Sequence, residues 1–245
     1  MPRTRALRPL LIAVWLGAVS LAAPADDALA ALMKGQPDVA VRLLRGSRDA
    51  PGLSLLSRAY VGQSLFISSG DERHKLYAAA ESAARAALAA DTRSAEAHVE
   101  LANALGLQLQ GAGAVQAART GLEIRTLFQQ AVELDPAQAR AWMGLGTWHA
   151  QALGLGALVK LATGANEATM RACHQRAITL VPNEVFFRLS YADSLLLLAK
   201  NDAPRAATLR REARGLLESA LALTPQTFWQ QYDQTLVRER LRALP

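Results

Sequence analysis

The sequence predicts an all-α array of stacked helical hairpins, on three observations. Four pairs of a bulky residue and a small one, Leu56-Ser57, Leu101-Ala102, Leu145-Gly146 and Tyr191-Ala192, recur at intervals of 45, 44 and 46 residues. A period of about 20 to 50 residues marks a repeat array, in which each unit buries its apolar face only against its neighbours. Hydrophobic residues make up 51% of the chain and aromatic ones 5%, so the core is built from Ala and Leu, the leading helix formers. Val, Ile and Thr are too scattered to supply strands at regular spacing.

The first 25 residues are a separate object. Arg3, Arg5 and Arg8 precede an apolar run from Leu10 to Ala23, broken only by Gly17 and Ser20, and Pro24-Ala25-Asp26-Asp27 follows. This is the layout of a secretory signal peptide, with cleavage after Ala25 preferred and after Ala22 as the second choice. The 14-residue run is shorter than the roughly 20 residues that cross a bilayer as a helix. The expectation is therefore a periplasmic or secreted domain over residues 26–245. The alternative is that the segment stays as an inner-membrane anchor with the domain facing the periplasm.

Terminal helices are expected near 26–34 and 37–46, followed by four units at 48–92, 93–136, 137–182 and 183–225 and a capping helix within 226–245. The first helix of each unit, near 52–67, 94–110, 138–153 and 184–199, carries the bulky-small pair. Its small member lets a second helix approach closely. The second helices, near 72–90, 114–134, 165–180 and 204–223, end in Ala87-Leu88, Ala131-Val132, Ala177-Ile178 and Ala220-Leu221. Each of these pairs lies five residues before Thr92, Pro136, Pro182 or Pro225. Proline lacks an amide hydrogen and disfavours helix at the preceding residue, so it stops the second helix. Ser68-Ser69-Gly70-Asp71, Gly111-Ala112-Gly113, the stretch from Gly154 to Gly164, and Lys200 to Pro204 break the chain between paired helices. The last helix, near 227–242, is polar enough to cap the array.

Charge and motifs exclude more than they assign. Removing residues 1–25 takes away three arginines and no acids, which lowers the formal charge from +6 to +3. The cluster Arg205, Arg210, Arg211 and Arg214, offset by Glu212 and Glu218, reads as a solvated helix face, and no nucleic-acid partner is expected. Cys173 is alone, so no intramolecular disulfide forms, and it reads as a small apolar helix residue. No nucleotide motif, metal-spaced Cys set, HExxH or GxSxG occurs, and no catalytic, cofactor-binding or metal-ligating residue is expected. His74, His98, His149 and His174 fall on different helices, and His149 reads as a core residue. His174 and Cys173 are sequence neighbours on one helix and do not face each other. Gly154-Leu155-Gly156 follows no strand and reads as a hairpin turn rather than a phosphate cradle.

The segment Phe128-x-x-Ala131-Val132-x-Leu134-Asp135-Pro136 followed by Trp142-x-x-Leu145-Gly146-x-x-His149 resembles the tetratricopeptide repeat, with His149 where the family usually has tyrosine. The units here are about ten residues longer than the family's usual ~34, and the excess lies between the paired helices. One lengthened subfamily is similar in the third unit, over Gly146-Thr147-Trp148-His149, Leu158 to Gly164, Glu167-Ala168-Thr169 and Arg176 to Pro182. The chain thus resembles the regulator of microtubule dynamics family and its bacterial relatives, over about residues 50–225 and most sharply over 128–198. The resemblance implies a right-handed α-α superhelix acting as an adaptor or tether without catalytic residues. A secretory signal places the protein outside the cytoplasm, so a microtubule role is not carried over.

In the resembling family, the position two places after the bulky residue faces the concave groove. Here it holds Arg58, Asn103, Thr147 and Asp193, all polar. With Met143, Trp148 and Gln151 they are the candidate groove for a protein or peptide partner of a scaffold. The bland alternative is that the four merely face solvent. A different function class is a periplasmic carrier of a lipid or other apolar small molecule, an accessory of a transport system, with Leu107, Met143, Leu196 and Leu197 lining the groove. Residues 153–163 are apolar apart from Lys160, and Leu155, Leu158, Val159 and Leu161 suit a short amphipathic helix. It is expected to tuck over its hairpin or to serve as a lip or a membrane-surface contact.

Overall fold

Short polar side chains and prolines set the helix boundaries, and the boundaries set the hairpins. The structure, a computed structural model, describes residues 24–66, 70–109 and 113–244. Its helices are α1 (Pro24–Met33), α2 (Pro37–Leu44), α3 (Ala50–Ser64), α4 (Asp71–Ala90), α5 (Ala95–Gln108), α6 (Ala114–Leu134), α7 (Ala139–Gly154), α8 (Ala157–Thr163), α9 (Glu167–Leu180), α10 (Val185–Asn201), α11 (Ala206–Leu221) and α12 (Phe228–Ala243). Asp49, Ser94, Asn166 and Thr227 accept hydrogen bonds from the amides of Gly52, Ala97, Thr169 and Gln230, which satisfies donors at the starts of α3, α5, α9 and α12. Helices α6 and α9 end at Leu134 and Leu180, ahead of Asp135-Pro136 and Val181-Pro182, as proline requires.

The four hairpins are α3/α4, α5/α6, α7/α9 and α10/α11, and each first helix also packs on the second helix of the preceding hairpin. The sequence places only a breaker between 154 and 164, with a short helix as an option, and the structure puts α8 there. The bulky-small pairs lie in the packing, as their chemistry demands. A Cβ on Gly146 would stand 2.7 Å from the His174 ring, and Ser57 Oγ donates to the Ala80 carbonyl at 2.8 Å. Ala102 and Ala192 are buried.

Three residues before the bulky member the sequence looks irregular, with Trp142 in one unit and Arg188 in the next. The structure supplies the common property, which is a donor rather than a shape. Trp142 Nε1 donates to the Pro136 carbonyl at 2.9 Å, and Arg188 Nη1 donates to the Pro182 carbonyl at 2.6 Å. Each thereby ties its helix to the proline turn that precedes it.

Helix α12 does more than cap the last hairpin. Gln234 Nε2 donates to the carbonyls of Ala220, Leu221 and Leu223, and Val237 is fully buried, so α12 packs on the last hairpin. Its first turn, however, reaches the opposite end of the array. Trp229 Nε1 donates to the Leu32 carbonyl at 2.7 Å, the Phe228 ring lies over Gly35, and Phe66 packs against both aromatics. Gly35 has φ +74°, a left-handed conformation that glycine takes without strain, and any side chain there would collide with Phe228. The two ends of the array therefore touch.

Candidate partner-binding groove

Helices α3, α5, α7 and α10 follow one another along one side of the array, each packed on the next. Residues spaced three and four apart on these helices share a face. On that face the first half is occupied by charges. Arg58 on α3 and Arg140 on α7 both bind Glu100 on α5, at 2.8 and 2.5 Å, and both also pair with Glu96. Glu100 is 1% exposed. Burial works to raise its carboxyl, but the Arg140 and Arg58 guanidiniums outweigh burial and hold it below the usual carboxylate range. Gln138 Nε2 adds a hydrogen bond to Glu96 at 2.8 Å. This half is chemically satisfied.

The second half is open. Thr147 and Gln151 of α7 face Phe186, Ser190, Asp193 and Ser194 of α10 across a cavity of about 220 Å³. Thr147 Oγ1 and Ser190 Oγ are 3.0 Å apart and share a hydrogen bond. Arg240 of α12 closes on Asp193 with two contacts, at 2.8 and 3.4 Å, from a partly exposed position. Nearby, Gln230 Nε2 donates to Glu184, which also caps α10 by accepting from the Phe186 amide. Asp233 on α12 is pushed up to about 7 by burial and by the negative charge of Glu184.

A serine and a histidine meet behind the cavity wall, at 2.9 Å between His174 Nε2 and Ser194 Oγ. The Ser194 hydroxyl also lies 2.9 Å from the Ser190 carbonyl, and where it donates there the imidazole donates from Nε2. That leaves Nδ1 as a buried acceptor without a partner. Burial also pushes His174 down to about 3, far from a working base, and the ring is fully buried against Tyr191. The pair is a packing device. Cys173 is buried and its thiol is pushed up to about 11 by burial, so it is not an activated nucleophile. His149 sits in the core, where its Nδ1 accepts from the Asn166 amide at 3.4 Å. Among the described residues no group of His, Cys, Asp and Glu is arranged to hold a metal ion.

Of the sequence-derived candidates, Thr147, Gln151 and Asp193 come together at the cavity. Arg58 belongs to the charged half, and Asn103, on α5, is half-buried and away from the cavity lining. Trp148 is in the core instead, with Nε1 donating to the Gly121 carbonyl at 2.6 Å and Arg125 over its ring. Met143 packs with Ala177 and Phe187, beneath Thr147. Leu196 and Leu197 pack against the C-terminal apolar cluster, and neither they nor Leu107 line the cavity. Phe186, Ser190, Glu96, Glu100 and Arg140 were not singled out from the sequence. The signal was available: Ser190 and Phe186 lie three and seven residues before Asp193, on the same helical face. In the repeat register Glu100 corresponds to Ser190, and Glu96 and Arg140 correspond to Phe186.

The comparisons with known proteins agree with this architecture. A thermophilic tetratricopeptide-repeat protein of Thermus thermophilus matches with a TM-score of 0.61 at 16% identity, covering 88% of this chain and 97% of that one. Two looser structural matches are MamA, with a TM-score of 0.43 at 17% identity over 85% of this chain and 96% of that one, and YrrB, described as a TPR protein with an unusual peptide-binding site, with a TM-score of 0.42 at 15% identity over 86% and 84%. No curated protein matches at a significant level. A family model matches residues 27–180, which takes in the two N-terminal helices and stops before α10. The chain belongs to the family described as regulator of microtubule dynamics protein 1-3, built on a tetratricopeptide-like helical solenoid.

Proposed function

We propose that this chain is an exported, non-catalytic scaffold that binds an extended segment of a partner protein between α7 and α10. The observation that carries the reading is the cavity of about 220 Å³ on the inner face, walled by hydroxyls, an amide, a carboxylate and one aromatic ring. Such a wall offers donors and acceptors to a polar side chain and an apolar edge at Phe186, which orients a ligand without performing chemistry on it. Asp193 already holds the guanidinium of Arg240, so the same carboxylate suits a basic side chain of the partner. The Arg-led apolar run at residues 3–23 supports export to the periplasm.

Photo-crosslinking tests this directly. A benzophenone amino acid at Gln151 or Ser190, inside the groove, should capture one protein species in cells, and the same probe at exposed Gln130 on α6 or Gln175 on α9 should not. Equal capture from both faces, or capture from neither, sinks the groove assignment. Native mass spectrometry of the purified protein showing a stoichiometric apolar small molecule would favour a carrier instead.

A further inference from the structure

The connection between α7 and α9 holds a seven-residue helix with its apolar side turned outward. Leu155, Leu158 and Leu161 are 74%, 84% and 83% exposed, the largest exposures among the large hydrophobic residues described. Leu158 and Leu161 lie three residues apart on α8 and Leu155 ends α7 just before it, whereas Val159 turns inward and packs against the core cluster that contains Leu127 and Trp148. Arg125 Nη1 donates to the Thr163 carbonyl at 2.8 Å and ties the far end of α8 to α6. Gly156 and Gly164, with φ of +103° and +67°, make the two sharp bends that set the helix off from its neighbours. The leucines are thus held outward by a fixed support.

The charge around them has one sign. No acidic residue occurs between Asp135 and Glu167, and Lys160 sits within α8. Lys200 is exposed and adjoins Asn201, which donates from Nδ2 to the Gly154 carbonyl at 3.3 Å, so the end of α10 reaches the start of this connection. Neither lysine has an acidic partner among the described residues. The acids that follow this connection and α10 in sequence are already paired: Glu167 with Arg171 and Arg205, and Asp202 with Arg205.

We propose that this tip docks on the surface of an anionic phospholipid bilayer, with Leu155, Leu158 and Leu161 entering the headgroup-acyl boundary and Lys160 and Lys200 meeting phosphate groups. Apolar insertion and electrostatic attraction act together in this mode of binding. The surface is separate from the groove between α7 and α10, and each assignment stands or fails by itself.

The test uses the full chain with Ala162→Cys, an exposed position on α8 that leaves the leucines intact, labelled with an environment-sensitive dye. Cys173 is buried and does not compete for the label. With vesicles of phosphatidylglycerol in phosphatidylcholine, emission should shift to the blue and rise about twofold or more as the tip enters the boundary. Leu158→Ser with Leu161→Ser, and separately Lys160→Glu with Lys200→Glu, should each weaken the response roughly tenfold, with unchanged helical circular dichroism. The dye reads the tip alone, so membrane affinity of residues 10–23 does not imitate the result. The proposal is overturned by an unchanged spectrum on vesicles, an equal response on pure phosphatidylcholine, indifference to both double variants, or a shift that grows with protein concentration in the absence of lipid, which would mean self-association.

Discussion

Between α3 and α7 this face is filled by charges that satisfy one another, whereas between α7 and α10 the equivalent positions carry Ser190, Phe186 and Asp193 and leave a cavity. The backbone scaffold is the same in both halves. Glu100 and Ser190 stand one residue before the bulky member of their units, and Glu96, Arg140 and Phe186 stand five before it. A long carboxylate at the first position reaches arginines on both neighbouring helices, while a serine reaches only Thr147 across the gap. Side-chain length at one register position therefore decides whether a groove segment is closed or open. The closed half ties three successive helices together by ion pairs, and the open half is the one we propose as the binding point.

Four measurements bear on this contrast. The largest effect is expected from Glu100→Ala, which takes from two guanidiniums the buried one of the two carboxylates they share. A loss of about 3 kcal/mol in chemical denaturation is expected, at the low end for a broken buried pair because both arginines still reach water. The Glu100 carboxyl is held below its ordinary value, so its contribution is present above the unfolded carboxylate range and is lost as pH falls through the lower folded value. A loss below about 1 kcal/mol would show that the ladder is ornamental to stability.

Next comes Gly146→Ala, which pushes a methyl group against His174 and strains the wall of the open half from behind. It should destabilise by about 1–3 kcal/mol and disturb the nuclear magnetic resonance signals of Ser194 before those of Arg58. Uniform perturbation of both halves would argue against their independence.

A smaller, pH-dependent effect is expected at Asp233→Asn. The Asp233 carboxyl is raised to about 7, so between its unfolded value and about 7 the native state holds the proton more firmly, and stability falls as pH rises through that window. Asparagine removes this penalty. The variant should exceed the parent by about 1–2 kcal/mol at pH 8, after allowance for partial solvent screening, and the gap should close below pH 4. A gap independent of pH would mean that neither burial nor Glu184 raises the Asp233 carboxyl.

The smallest effect on stability should come from Thr147→Val with Ser190→Ala, under about 1 kcal/mol, because one partly exposed hydroxyl pair is lost. The same double variant should abolish groove crosslinking. If crosslinking survives, the cavity is not the binding point.

Much of this architecture was legible in the chain. The near-constant spacing of Leu56, Leu101, Leu145 and Tyr191, the prolines at 136 and 182 and the Ala-rich second helices predict the hairpins, because local propensity, small-residue packing and proline act within a few residues. Thr147, Gln151 and Asp193 were legible because the repeat register carries a position from one unit to the next. Trp148 was misleading, since its helical neighbours do not reveal that the Gly121 carbonyl waits in the core for its Nε1 hydrogen. Arg58 was readable as polar, but not as a partner of Glu100 some 42 residues away.

Sequence alone determined the period, the helix limits, the polar stripe and the missing catalytic motifs, all of which depend on short-range backbone physics and on side-chain type. Tertiary structure decided what those residues meet. It joined Trp229 to Leu32 across 197 residues, divided one polar stripe into a satisfied half and an open half, and held Leu155, Leu158 and Leu161 out to solvent. The physical reason is that small repeated rotations between hairpins accumulate along a solenoid, so the angle that brings its ends together belongs to the whole stack and to no single repeat.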